Sequence, residues 1–486
     1  MHAETLTPTP TWAPLRVLAT AGVIAMAVVW SASQRDFGPD GYGLAWKGAL
    51  IVALGLAPAW VQGWSRARGA AAGASIPFVP LVGAIHALFF GAPLLLSDRV
   101  QFMSLEPPVA ALQGAADLVL LGLIALYAGY AGAARLPLGR PLRLHCDGRR
   151  GAPAAMALIA IGFAARILVR EQLLPEGLLQ PAALLAHGVL LGAGLLIVLG
   201  RRGHLGRWAA PLAIAGVLPA HLLLELSSGS LGYAVRDGAF ALMLIWGTRG
   251  RVPLVVLAAL GLFIMGLRGA ANEYRVVLHN SPHLLEDRAL ERGLQFFELA
   301  RSELEREGAS SITASAFGRF SQIALFAEVV DKTPLAIPHW GGATYATLPA
   351  TFVPRALWPD KPAKELGQRF GHRYGVLHET DTTTSINLPQ LVEHYVNFGA
   401  LGVLLGSLAI GLVYRVLVHL LVHPAAGEAG LVFGALFASR LLHVESDTSL
   451  VLGIVLQLAL LCAPLAWFLA PRAGAQRATL LAGALR

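Results

Sequence analysis

The residues best suited to chemistry lie in one basic stretch. Between Lys332 and Arg373 the chain carries six lysines and arginines, against two acids, Asp360 and Glu365. Arg355 stands in the string Pro-Arg-Ala-Leu-Trp-Pro-Asp-Lys-Pro, residues 354–362. A guanidinium grips two phosphate oxygens at once and stays charged, so such a string suits a phosphate or diphosphate. The candidate ligands are Arg355, Lys361, Arg369 and Arg373; pairing with Asp360, Glu365 or lipid head groups is the competing role. Candidate proton acceptors follow at His372, His378 and Glu393. A base needs a His, Glu or Asp within reach of the proton it removes. Glu393 opens an apolar run, where a carboxylate is costly and marks a functional position or a helix-dipole cap. Asn397, four residues on, shares its helix face.

Membrane helices must position these groups. Of 486 residues, 56% are apolar and 14% charged, and mean hydropathy is +0.62. Soluble domains carry about 25% charged residues, so the composition predicts an all-α polytopic membrane protein. The net charge of +8 does not point to nucleic acid, because the arginines cluster in short loops between apolar runs, as topology requires. Cys146 and Cys462 stand far apart and form no metal or redox spacing. No nucleotide motif occurs, no Asp-x-Asp pair occurs in the long insert, and no metal or other cofactor is expected. The first residues are polar and no cleavable signal peptide is expected.

About 20 apolar residues cross a bilayer. Spans are expected near 16–32, 43–63, 76–96, 110–133, 153–169, 179–200, 206–224, 231–247, 252–267, 389–418, 428–444 and 449–470. That makes about twelve, in three regions: an N-terminal bundle over 1–267, an extracytoplasmic insert over 268–388, and a C-terminal bundle over 389–486. Alternate short loops carry 12 arginines on one side and three on the other. Both termini are therefore expected in the cytoplasm and the insert outside. Within the insert, Leu284–Glu307 reads as an amphipathic helix and Thr313–Val330 as a second helix. Coil is expected from there to Pro389. Inside the spans, adjacent Arg236 and Asp237 do not face each other, and Arg440 with His443 and Glu445 reads as an ion-pair network or as catalysis.

Thr333-Pro334, Gly341-Gly342-Ala-Thr-Tyr345, the 354–362 string and Glu393-x-x-x-Asn397-Phe398-Gly399-x-x-Gly402 occur in that order. Over roughly residues 317–405 the chain resembles the bacterial O-antigen and exopolysaccharide repeat-unit polymerases of the Wzy type. The resemblance implies a GT-C-like membrane glycosyltransferase of the bacterial inner membrane. Such an enzyme joins oligosaccharide repeats carried on polyprenyl pyrophosphate, at the outer face, with a flippase and a chain-length regulator as pathway partners. For that reaction the residues themselves offer Glu393 or His372 as base and Arg355 as a catalytic cation. Lys361, Arg369, Arg373 and Asn397 are further substrate or pyrophosphate ligands by residue type and place, and the resemblance adds Arg236. Tyr345 and Trp358 suit either stacking on sugar rings or an aromatic belt at the membrane interface. An O-antigen ligase and a polysaccharide flippase are the alternative expectations.

Overall fold

The computed structural model describes residues 41–67, 76–96, 100–103, 105–227, 231–249, 321–351, 353, 358, 365–382 and 384–471, together with 271, 274, 277, 291–302 and 305. Among them the regular structure is helical. In chain order the helices are α1 (Gly41–Ala67), α2 (Phe78–Leu95), α3 (Val109–Gly132), α4 (Gly148–Arg170), α5 (Glu176–Arg201), α6 (Ala209–Leu226) and α7 (Leu231–Arg249). The insert contributes α8 (291–302), α9 (Gln322–Lys332) and α10 (Leu366–Arg373), before α11 (Gln390–Leu421), α12 (Gly427–Leu441) and α13 (Thr448–Leu469). Eight of these, α1 to α6 with α11 and α13, are long and apolar enough to cross a membrane.

The expected spans at 231–247 and 428–444 are helical, but α7 carries Arg236 and Asp237 in its body and α12 has only 15 residues. The expected spans at 16–32 and 252–267 lie outside the described residues. The chain divides into two compact units, one of Met1–Gly73, Pro77–Ala125 and Phe317–Ile337, the other of Ala74–Ile76, Leu126–Ala316 and Pro338–Arg486. In the first, Lys47 Nζ on α1 pairs with Asp117 Oδ2 on α3 at 2.8 Å. Helix α9 buries Gln322 to Val329 and ends at Lys332, whose ammonium returns to Glu328 one turn back at 2.8 Å.

The second unit holds the candidate site. Small residues let its helices touch backbone to backbone, the usual device where lipid offers no hydrophobic drive between helices. A methyl group added at Gly411 of α11 would stand 2.0 Å from the Leu126 carbonyl oxygen of α3. The arginine-rich loop after α3 is sewn to the far ends of the C-terminal helices: Leu142 N donates to Leu420 O at 3.1 Å and Asp147 N to Leu469 O at 2.9 Å. That loop therefore lies at the end of α11 and α13 opposite Glu393 and Thr448. In the insert, α8 packs Phe296 and Ala300 on Leu226, Ala234 and Tyr274, as an amphipathic helix docked on the bundle.

The stretch expected as coil before Pro389 holds more order than its Pro and Gly content implies. Tyr345–Thr351 forms two short helical turns, and α10 has eight residues. Helix α10 forms because Phe370 is fully buried, 5.0 Å from the Tyr374 ring, while its charged residues turn outward.

Candidate active site

The site is built around a break in α11. Its first two turns, residues 390–397, end at Phe398 (φ −142°, ψ 18°) and Gly399 (φ 62°, ψ −148°). The Gly399 conformation is open essentially to glycine alone. The chain then doubles back. A methyl group at Gly402 would meet the His394 carbonyl oxygen at 2.1 Å, and one at Gly406 would press on the His394 ring at 2.5 Å. A continuous helix would set residues eight apart about 12 Å from each other.

Breaking a helix strands its last carbonyls, and a segment of the insert satisfies them. Trp340 N donates to Val396 O at 2.8 Å and Gly341 N to Asn397 O at 3.3 Å. Asn397 completes the splice: its Oδ1 accepts from Gly342 N at 2.9 Å, and its Nδ2 donates to Thr344 Oγ1 and Glu393 O, both at 2.7 Å. The Gly341-Gly342-x-Thr344-Tyr345 and Glu393-x-x-x-Asn397-Phe398-Gly399 strings, about fifty residues apart in sequence, thus form one joint.

Glu393 sits at the centre, fully buried. Its Oε2 accepts from the backbone nitrogen and the hydroxyl of Thr448, the first residue of α13, at 2.7 and 2.6 Å. Its Oε1 is buried with no hydrogen-bond partner, and the Thr344 side chain stands beside the carboxyl group. Among the described residues no Lys, Arg or His forms an ion pair with it. An ordinary buried carboxylate is paired, so this one has an unused acceptor.

The next residue, His394, is also buried. Its Nδ1 lies 2.6 Å from Tyr345 Oη, and its Nε2 is buried without a partner. Burial raises the Tyr345 phenol above its ordinary value, and the Glu393 charge adds to this. The phenol therefore stays protonated. With Tyr345 donating to Nδ1, the imidazole keeps its own proton on Nε2. Tyr345 also stacks on Phe398, 6.4 Å between ring centres. Two orphaned polar atoms, an acceptor and a donor, thus occur on adjacent residues.

Of the residues expected to do chemistry, Glu393, Asn397 and Tyr345 converge here. Arg369 and Arg373 support the joint: their guanidinium carbons lie 5.6 and 4.8 Å from the Trp340 ring centre, and Arg373 Nη2 donates to Pro338 O at 2.7 Å. They clamp the segment that caps the broken helix. His372 is held in its own loop, Nε2 to Asp381 O at 2.9 Å, and His378 bonds Thr380 at 2.8 Å. Trp358 is partly exposed. Arg236 belongs to another group, around Asp237 on α7. Arg355 and Lys361 lie outside the described residues.

Sequence reasoning passed over Thr344, His394 and Thr448. The first two lie inside strings already singled out. Thr448 follows Asp447, the N-cap of α13, and carries no local signal that its nitrogen serves a carboxylate 55 residues earlier.

The fold and site define, among the described residues, an all-helical protein with eight helices long and apolar enough to cross a membrane and an unpaired carboxylate buried at a helix break. A family model described as a domain of unknown function (DUF8712) matches residues 287–435, which take in the broken helix and its capping segment. No curated protein and no solved structure matches the chain.

Proposed function

We propose that the chain is a membrane glycosyltransferase that polymerises oligosaccharide repeats carried on polyprenyl pyrophosphate. It acts on the outer face of the bacterial inner membrane, with the arginine-rich loops and both termini in the cytoplasm. The observation that carries the reading is Glu393, a buried, unpaired carboxylate with one free oxygen, at the meeting point of two strings that resemble that family's. Glu393 Oε1 takes the proton of the acceptor hydroxyl while Thr448 holds Oε2. The acceptor oxygen bonds to the anomeric carbon, and the bond from that carbon to the diphosphate oxygen breaks. The diphosphate leaves with the electron pair. Arg355 and Lys361, from the sequence, are the cations assigned to it.

Glu393→Gln tests the assignment, because glutamine still accepts from Thr448 but takes no proton. Polysaccharide ladders from cells carrying E393Q at normal membrane abundance are expected to lose chains beyond one repeat, with turnover down roughly 10²–10⁴-fold. Full-length ladders would sink the role of Glu393.

A transport reading has one observation in its favour, since broken helices also mark substrate sites in transporters. Purified protein with labelled lipid-linked repeats decides: longer chains mean polymerisation, movement without elongation means transport, and capture by a non-growing lipid acceptor means a ligase.

A further inference from the structure

A second polar group, in the same compact unit, carries more positive than negative charge among the described residues. Arg166 and Arg170 on α4 both bind Glu225 of α6, at 2.7 and 3.0 Å. Arg440 of α12 binds Asp237 of α7 at 3.1 Å. His221, one turn before Glu225, places Nε2 3.0 Å from Asp237 Oδ2. Arg236 lies over the Tyr233 ring at 4.7 Å and has no carboxylate partner among the described residues. All four arginines act electrostatically on this one neighbourhood.

Among the described residues four guanidinium groups face two carboxylates, leaving two positive charges in excess. The Nε atoms of Arg166, Arg170, Arg236 and Arg440 are all buried without a hydrogen-bond partner. Arg440 is 2% exposed. Arg236 is partly buried, and a charge held in a membrane bundle without a counter-charge is costly and marks a functional position. His221, Glu225 and Asp237 have donor atoms within 4.8 Å of one another, a spacing that a divalent cation can use. The arginines already occupy those carboxylates and repel a cation. An anion meets both needs, because it supplies the missing negative charge and the missing acceptors.

We propose that this arginine cluster on α4, α7 and α12 is a binding site for a phosphate-class anion, either free or as the head of a lipid. Guanidinium forks match phosphate oxygens in charge and geometry. Four residues beyond Arg440, Val444 O accepts from Gln390 N at 3.1 Å, and Thr448 then binds Glu393. One short segment therefore connects the anion site to the carboxylate site. The proposal does not rest on the polymerase reading, and its test involves no turnover.

The test uses the full chain in phosphatidylcholine nanodiscs, with thermal unfolding followed as ligand is added. The probes are inorganic phosphate, inorganic pyrophosphate, farnesyl diphosphate and, separately, zinc and magnesium ions. A rise in unfolding temperature with phosphate or pyrophosphate identifies a free anion. A rise with farnesyl diphosphate alone identifies a lipid head. In either case Arg236→Gln, which strands no carboxylate and removes one excess positive charge, is expected to unfold no lower than the wild type without ligand and to bind about tenfold more weakly. The proposal is overturned if no anionic probe shifts the unfolding temperature. An unchanged affinity in R236Q, or stabilisation by a divalent ion alone that Asp237→Asn removes, overturns it as well.

Discussion

At the residue scale the joint depends on Asn397, whose single amide serves a backbone nitrogen, a hydroxyl and a carbonyl. No other side chain of that length offers an acceptor and two donors at once. Asn397→Ala takes the partner from the partly buried Gly342 N and the buried Thr344 Oγ1, and a buried group so stranded costs about 1–3 kcal/mol. We expect this variant to show a clearly lower unfolding temperature in detergent and to lose function with it. Asn397→Asp keeps the bond from Gly342 but loses both donors, and it sets a second negative charge close to Glu393. It is expected to be at least as damaging. A wild-type unfolding profile for either variant would contradict the splice. Glu393 behaves differently, because its Oε2 bonds cap α13 and survive in Glu393→Gln. Stability and activity therefore separate at Glu393 and fall together at Asn397.

At the scale of elements, the decisive feature is that α11 is two helices. Residues 400–421 alone are long enough to cross a bilayer core, at about 33 Å. The two turns before them need not span anything. They hold Glu393 and His394 against the returning helix. Gly399→Ala forces a side chain into φ 62°, ψ −148°, at a cost of about 1–3 kcal/mol. Gly402→Ala sets a methyl group 2.1 Å from the His394 carbonyl oxygen, a backbone atom that cannot step aside. We therefore expect Gly402→Ala to be the worse of the two, with little monodisperse protein on size exclusion, and Gly399→Ala to fold with a lower unfolding temperature. The Asn-Phe-Gly-x-x-Gly spacing is thus a backbone requirement. Asn397 caps the break, Gly399 makes the turn, and Gly402 lets the strands of chain meet. Hydropathy alone reads the same residues as one long span.

For the whole molecule, the arginine-rich loop and the insert are expected on opposite sides of the membrane. Both native cysteines are buried, and Cys146 is pushed up to about 11 by burial, Glu428 and Asp147. The thiolate is the reactive form, so Cys146 should be nearly inert to maleimide at neutral pH and react faster as pH rises towards that value. New cysteines at exposed Thr380 and Arg140 should then dominate labelling. A membrane-impermeant maleimide on intact inner-membrane spheroplasts is expected to label Thr380→Cys and to spare Arg140→Cys until the membrane is opened. The reverse pattern would invert the topology. Apolar windows by themselves determined the helical class, the eight helices long and apolar enough to cross a membrane to within a few residues, and the amphipathic pattern of α8, because hydropathy is a local property of consecutive side chains; where α8 docks was left to the tertiary structure. The same windows placed Glu393 at the start of a helix. They could not show that Thr448 binds one of its oxygens and leaves the other free, or that α10 forms where Pro and Gly are frequent. They also left Arg166, Arg170, Arg236 and Arg440 as unconnected charges. Only the tertiary structure brings these groups together, because partners 50 to 200 residues apart are chosen by packing, and no local pattern records which carboxylate a buried cation will meet or which will be left without one.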